Sequence, residues 1–258
     1  MTTSEQAVRE IAAWIRDARS IVVLTGAGVS AESGLSTFRD PEEGLWSKYD
    51  PMELATIDAF NANPELVTRW YHWRFTRAID VEPNPGHHAL AQIERLKHQH
   101  DSGFTLITQN IDGLHQRGGS SNVVEIHGTI LTWRCTKTGA ERPLSEIEFD
   151  QFPIPSDTGG LMRPCVVWFG EQLPESAIRA SFEALSDCDL FMSIGTSATV
   201  QPAASFIEVA RENGARTVEI NRDPTPITDE VDLTVLGPSG LVLPEIMDAL
   251  RELDGSGQ

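Results

Sequence analysis

Ile21-Val22-Val23-Leu24-Thr25-Gly26-Ala27-Gly28-Val29-Ser30-Ala31 is the stretch that decides the fold. Four apolar, mostly β-branched residues in a row read as a strand buried on both faces, and the glycine-bearing turn behind them opens a helix. Gly26, Gly28 and Ala31 match the Gly-x-Gly-x-x-Gly/Ala pattern, in which missing side chains let main-chain N–H groups approach a pyrophosphate. The same layout recurs along the chain. Phe104-Thr105-Leu106-Ile107 runs into Thr108-Gln109-Asn110-Ile111-Asp112-Gly113-Leu114-His115, and Val123-Val124-Glu125-Ile126 into His127-Gly128. Leu190-Phe191-Met192-Ser193-Ile194 runs into Gly195-Thr196-Ser197, and Thr217-Val218-Glu219-Ile220 into Asn221. Strand carboxyl ends form the ligand crevice of an open parallel α/β sheet, so cassettes scattered along the chain would converge on one site.

Working outward, Val8, Ile11, Ala12 and Ile15 lie at helical spacing, with Thr2 and Glu5 in capping-box register, so an amphipathic helix leads into the first strand. From Ser36 to about Asp80 the strand pattern lapses into aromatic, helix-compatible sequence that ends at Pro83-Asn84-Pro85-Gly86. A helix over His88–Leu96 then restores the alternation of helix and strand. Leu131 to Gly170 is a second irregular stretch with little periodicity. Helices near Ile178–Leu185, Ala203–Arg211 and Leu243–Leu250, and a strand at Leu233–Leu236, complete the pattern. The expected class is α/β: a Rossmann-like parallel sheet with helices on both faces, plus a small lobe formed by two insertions. The sheet domain takes residues 1–35, 84–130 and 171–258, and the lobe takes 36–83 and 131–170.

A formal net charge of −18 over 258 residues leaves no basic footprint for phosphate backbones, so no nucleic-acid partner is expected. No run of about 18 apolar residues is present, and the first residues are polar, so neither a membrane partner nor a leader is expected. Cys135, Cys165 and Cys188 are too few and too scattered for a disulfide framework, which suits a reducing, cytoplasmic location. An ordinary hydride-transferring Rossmann enzyme is disfavoured, because the acidic ribose ligand about 20 residues beyond the glycines is replaced by the helical insertion.

Taken together, Gly26-Ala27-Gly28-Val29-Ser30-Ala31-Glu32-Ser33-Gly34 with Phe38-Arg39, Thr108 to His115, His127-Gly128, Val166-Val167-Trp168-Phe169-Gly170-Glu171, Gly195-Thr196-Ser197 and Asn221 resemble the signature of the sirtuin family of NAD-dependent protein deacylases. The match follows the family's order over nearly the whole chain. Alone, a His-Gly after a strand or an Asn-x-Asp-Gly marks a tight turn; five cassettes in register do not arise that way. The resemblance implies NAD as cofactor and acylated lysine side chains of proteins as partners. It implies His127 as base, Asn110 positioning the ribose and a water, and Asp112 accepting from the nicotinamide carboxamide. Gly26, Ala27, Gly28, Ser30, Ala31, Gln109, Gly195, Thr196, Ser197 and Asn221 would line the NAD groove, with Phe38 over the reacting carbon and Arg39 nearby. The acyl-lysine backbone would pair as an added strand with Val166, Val167, Trp168, Phe169 and Gly170.

Tyr71 and Arg74 stand at i and i+3, where a phenol and a guanidinium share one helix face and suit a carboxylate. They resemble the Tyr-x-x-Arg motif of sirtuins that remove succinyl, malonyl or glutaryl groups; an Arg at a helix surface beside a packed Tyr is the plain alternative. The structural zinc of most sirtuins needs two Cys-x-x-Cys pairs. Here they read Cys135-Thr136-Lys137-Thr138 and Pro155-Ser156-Asp157-Thr158, so no zinc is expected and Trp133, Phe149, Phe152 and Leu161 are expected to hold the lobe by packing. Two other functions start from the same nucleotide site, mono-ADP-ribosyl transfer and non-catalytic sensing of NAD or ADP-ribose.

Overall fold

The computed structural model describes residues 4–37 and 48–255. Helix α1 (Ser4–Asp17) feeds strand β1 (Ser20–Thr25), and a short helix α2 (Ala27–Ala31) follows the Gly26 turn. Helices α3 (Pro51–Leu54), α4 (Ile57–Ala62) and α5 (Pro64–Asp80) make up the described part of the first insertion. Asp50, Thr56 and Asn63 each cap one of them with a side-chain oxygen. Next come α6 (Pro85–Gln99), β2 (Gly103–Thr108), α7 (Leu114–Arg117) and β3 (Val123–Glu125). Strands β4 (Gly128–Cys135), β5 (Glu141–Pro143) and β6 (Met162–Val166) form a separate small sheet. The chain ends with α8 (Glu175–Ser186), β7 (Leu190–Ile194), α9 (Phe206–Glu212), β8 (Arg216–Asn221), β9 (Leu233–Leu236) and α10 (Ser239–Gly255).

The large sheet is parallel, in the order β3-β2-β1-β7-β8-β9. Alternation along β1 explains its unbroken apolar run. Ile21 and Val23 face the core under α1, α6 and α10, against Ile11, Ile15, Leu90, Ile93 and Ile246. Val22 and Leu24 face the opposite core, with Leu185 of α8 and Phe206, Ile207 and Ala210 of α9. Each such side chain taken wholly from water contributes about 1.5–3 kcal/mol before entropy is set against it. Strand order reverses between β1 and β7, which places the crevice there.

The stretch expected to be irregular, 131–170, contains most of the antiparallel sheet β5-β4-β6, which corrects the sequence reading. A register shift between Thr129 and Trp133 is the physical reason it escaped notice. Ile130 and Trp133, three residues apart, both turn inward, so β4 lacks the strict period of two that announces a strand. Trp133, Ile154, Met162, Val166 and Trp168 pack with Leu54, Phe60, Val67, Trp70, Tyr71 and Phe75 in one apolar cluster, to which Phe149, Phe152 and Leu161 add partly buried surface. Thr2 of the expected capping box, and Phe38, Arg39 and the 40–47 stretch, lie outside the described residues. Among the described residues no helix is long and apolar enough to cross a membrane.

Candidate active site

Main-chain packing at the switch point accounts for three glycines. Gly28 N–H donates to the Gly195 carbonyl at 2.9 Å, and Gly26 N–H to that of Ile194 at 3.1 Å. A Cβ on Gly28 would lie 2.7 Å from that Gly195 oxygen, and one on Gly195, where φ is +61°, would lie 2.5 Å from the Val29 nitrogen. The two turns therefore meet backbone to backbone. Asn221 Nδ2 donates to the Thr196 carbonyl at 2.6 Å, tying the end of β8 to the same turn. Ser197 Oγ pairs with Thr199 Oγ1 at 2.9 Å.

Beside this cradle, Ser30 joins the two polar residues that follow β2. Asn110 Nδ2 donates to the Gly26 carbonyl (3.1 Å) and to Ser30 Oγ (3.0 Å), while Ser30 Oγ donates to Asp112 Oδ2 (2.8 Å). Leu114 N–H takes the other Asp112 oxygen at 2.9 Å. With both amide protons of Asn110 engaged, its Oδ1 is left as an acceptor. Ser30, expected at the groove wall, is thus a buried link in the network. Burial raises the Asp112 carboxyl above its ordinary range, against the pull of Leu114 N–H, Ser30 and the Arg74 charge.

His127 stands just past β3. Its Nδ1 lies 3.1 Å from the Gln109 carbonyl oxygen, which only accepts, so Nδ1 carries the proton and Nε2 is free to take another. Burial lowers its pKa, partly offset by that hydrogen bond, so the ring is neutral at pH 7. The His127 carbonyl accepts from Val167 N–H at 2.9 Å, which brings the 166–170 segment alongside. Trp168 N–H donates to Glu171 Oε2 at 2.8 Å and Phe169 N–H to the Ala55 carbonyl at 2.8 Å. Three successive N–H groups are therefore committed inside the fold, and a strand added here would pair through carbonyls instead. Phe169, 40% exposed, offers its ring to whatever binds.

Tyr71 is buried and accepts from Trp168 Nε1–H at 2.9 Å; burial raises its pKa, so the phenol stays protonated. The Arg74 guanidinium lies over the Trp70 ring at 5.1 Å, and its charge is felt by both Tyr71 and Asp112.

A hydrogen-bonded layer lies beneath the site, and His115, the last residue of the Thr108–His115 cassette, belongs to it. His115 Nε2 lies 2.9 Å from Thr25 Oγ1, which donates to Thr108 Oγ1, and that hydroxyl accepts from Asn110 N–H. On the other side Asn84 N–H donates to His87 Nδ1 at 3.3 Å, and the His87 and His115 rings lie 4.8 Å apart. These bonds put the remaining proton of His87 on Nε2 and leave His115 Nδ1 an acceptor; among the described residues neither buried atom has a hydrogen-bond partner. Burial pushes the His87 pKa down to about 4, helped by the neighbouring His88, and that of His115 well below the ordinary value, helped by His87. Unfolded imidazoles near 6.5 take up protons first, so stability is whole above that pH and is lost as pH falls toward 4. From His87 alone, unfolding free energy at pH 5 is expected to drop by about 2 kcal/mol relative to pH 7. Urea titrations of the wild type and His87→Gln at both pH values check this; equal pH slopes in the two proteins would refute it.

At the four positions where the family holds zinc, Pro155 has no donor atom and Thr138 and Thr158 carry hydroxyls, which do not make a tetrahedral zinc set with Cys135 alone. Among the described residues, no three His, Cys, Asp or Glu side chains gather as a metal site. Hydrogen bonds join these residues instead. Thr158 Oγ1 lies 3.1 Å from Cys135 Sγ, 2.9 Å from Ser156 Oγ and 3.3 Å from Thr138 Oγ1.

Comparison with known proteins adds an independent finding. The model of the Sir2 family matches residues 26–202. NAD-dependent protein deacylase 2 of Pyrobaculum aerophilum is 46% identical over 247 residues, 93% of this chain and 95% of that protein. The NAD-dependent protein deacylase of Aquifex aeolicus is 46% identical over 242 residues, 92% and 98% of the two chains. Among solved structures, a Sir2 homolog–NAD complex superposes with a TM-score of 0.88 at 40% identity, covering 95% of this chain and 94% of that one. Sir2Af2 bound to a myristoylated histone peptide gives 0.79 at 31% identity, covering 98% and 99%.

Proposed function

From the premise that this chain belongs to the Sir2 family and is an NAD-dependent protein deacylase, we propose the roles of its residues and the acyl groups it takes. Bound NAD supplies a ribosyl carbon from which nicotinamide departs and to which the acyl oxygen of a modified lysine can bond. The residues fit that cofactor: peptide groups at the β1 and β7 turns for its pyrophosphate, and the buried Asp112 carboxyl for its carboxamide. Ala27, Ala31, Gln109, Thr196, Ser197 and Asn221 border the same groove, and the family signature assigns Phe38 and Arg39 to the same cofactor. Asn110 Oδ1 accepts from a ribose hydroxyl or a water. His127 Nε2 takes the proton from a ribose hydroxyl as the acyl group transfers, the task for which its neutral state suits it. The geometry at Gln109 is the observation that carries this assignment. Val167 and Phe169 hold the acyl-lysine peptide beside that nitrogen.

In this proposal two lobes meet at the cleft, and the enzyme works in the cytoplasm on proteins, its −18 charge suiting neither nucleic acid nor anionic membrane. Its preferred acyl groups end in a carboxylate, as succinyl and malonyl do, with Tyr71 and Arg74 as the anchor; acetyl is also removed. Mass spectrometry of acetyl- and succinyl-lysine peptides, with and without NAD, tests both parts. Loss of either acyl group only when NAD is present supports the assignment. NAD consumed with neither peptide shortened points to ADP-ribosyl transfer instead, and binding without consumption to a sensor. Arg74→Met is expected to lower kcat/KM for the succinyl peptide by about tenfold to a hundredfold, the scale of a lost charge-assisted hydrogen bond, with a smaller effect on acetyl. Equal losses on both peptides would remove the carboxylate preference.

A further inference from the structure

Trp168 is 1% exposed and held from several directions. The Arg163 guanidinium lies 3.3 Å from its ring centroid, and Phe60 and Tyr71 lie 5.1 and 6.3 Å away. Arg163 is itself fixed by two parallel hydrogen bonds to Glu171, of 2.6 and 2.9 Å, and the same carboxylate accepts the Trp168 main-chain N–H. Arg134, which pairs across the small sheet with Arg163, comes within 4.0 Å of that carboxylate, so one acid serves both guanidinium groups. An indole restrained in this way has one polar atom to direct, and Nε1–H points at the Tyr71 oxygen from 97 residues away.

That contact dictates where the phenol proton goes. With an acceptor position on the oxygen occupied by the indole, the O–H turns away from Trp168, and on the same helix face Arg74 stands one turn along. A hydroxyl donor and a guanidinium fork one helix turn apart suit a terminal carboxylate. We infer that Trp168 is a specificity-positioning residue: its indole N–H holds the Tyr71 hydroxyl in the orientation that, with Arg74, receives the carboxylate of a dicarboxylic acyl chain. This rests on the reading of Tyr71 and Arg74 as the acyl anchor. The residue next to the peptide-holding Phe169 thereby also sets which acyl group is accepted.

Trp168→Phe keeps an aromatic ring and deletes only the donor from the polar set. The ratio of kcat/KM for succinyl over acetyl peptides is expected to fall roughly tenfold, whatever common loss both substrates suffer. In a Tyr71→Phe background the same change is expected to leave the ratio within twofold, since the indole acts through the phenol. A role as channel wall alone lowers both substrates together, and an unchanged ratio in Trp168→Phe overturns the inference. Should that variant not fold, Tyr71→Phe supplies a second measurement. Of the six indole N–H signals in the 15N spectrum, one is expected to shift upfield on loss of its acceptor; six unmoved signals overturn the inference as well. If Tyr71→Phe and Arg74→Met both leave the succinyl-to-acetyl ratio unchanged, the acyl-anchor reading itself has failed and the inference falls with it. A ratio that drops in those two variants but not in Trp168→Phe removes the inference alone.

Discussion

His127→Ala is expected to lower deacylation turnover by about 10²–10⁴-fold, the range that a positioned general base contributes. The ring has one nitrogen engaged by the Gln109 carbonyl and the other free of a proton at neutral pH, so alanine removes the proton acceptor. Because burial lowers the His127 pKa, the acid limb of kcat/KM in the wild type is expected below pH 6.5, with activity retained above it. Binding of NAD is expected to survive, since the cradle of Gly26, Gly28 and Gly195 is made by main chain on other strands. Single-turnover assays with calorimetry check the two together. Turnover within fivefold of wild type would take the base assignment away from this histidine.

Gly128→Ala carries the largest expected effect on stability. A Cβ at this position would lie 2.0 Å from the Cys165 carbonyl oxygen, on the paired strand β6, and φ is +71°. Gly139, between β4 and β5, with φ +72° and nothing within 4 Å of its Cβ, separates the two costs. Gly139→Ala is expected to lose about 1 kcal/mol, the backbone penalty alone. Gly128→Ala also has to push β6 away from β4, and a loss of about 3 kcal/mol or more is expected, together with displacement of His127 one residue before it. Urea unfolding of the two variants measures the difference. Similar midpoints would show that the β4–β6 contact gives way easily.

Much of the fold was legible because its signals are local. Ile21–Leu24, Phe104–Ile107 and Leu190–Ile194 are mostly apolar and mostly buried runs, and each leads into a polar or glycine-bearing cassette at the strand end. The small sheet was not legible, since the shift between Thr129 and Trp133 breaks the alternation that would have marked β4. In the candidate site, Asn110, Asp112 and His127 stood in recognisable cassettes. Thr25, Thr108 and His115 stood in the same cassettes, but the contacts that join them to one another and to His87, which lay outside them, are made across the fold and left no mark in the spacing. Ser30 was visible only as part of a glycine-rich turn, yet it is the hydroxyl that links Asn110 to Asp112.

By itself the sequence determined the alternation of strand and helix, the glycines on which the two turns at the switch point depend, and the polar residues standing at strand ends. It also determined that three of the four zinc positions hold no zinc ligand. Tertiary structure alone decided the tautomer of His127, the burial that lowers its pKa, the pairing of Arg163 with Glu171 and the reach of Trp168 to Tyr71. The reason is range. Periodicity reports on neighbours within a turn or a pleat, whereas these contacts are made by elements distant along the chain, whose meeting depends on how the two sheets and their helices pack.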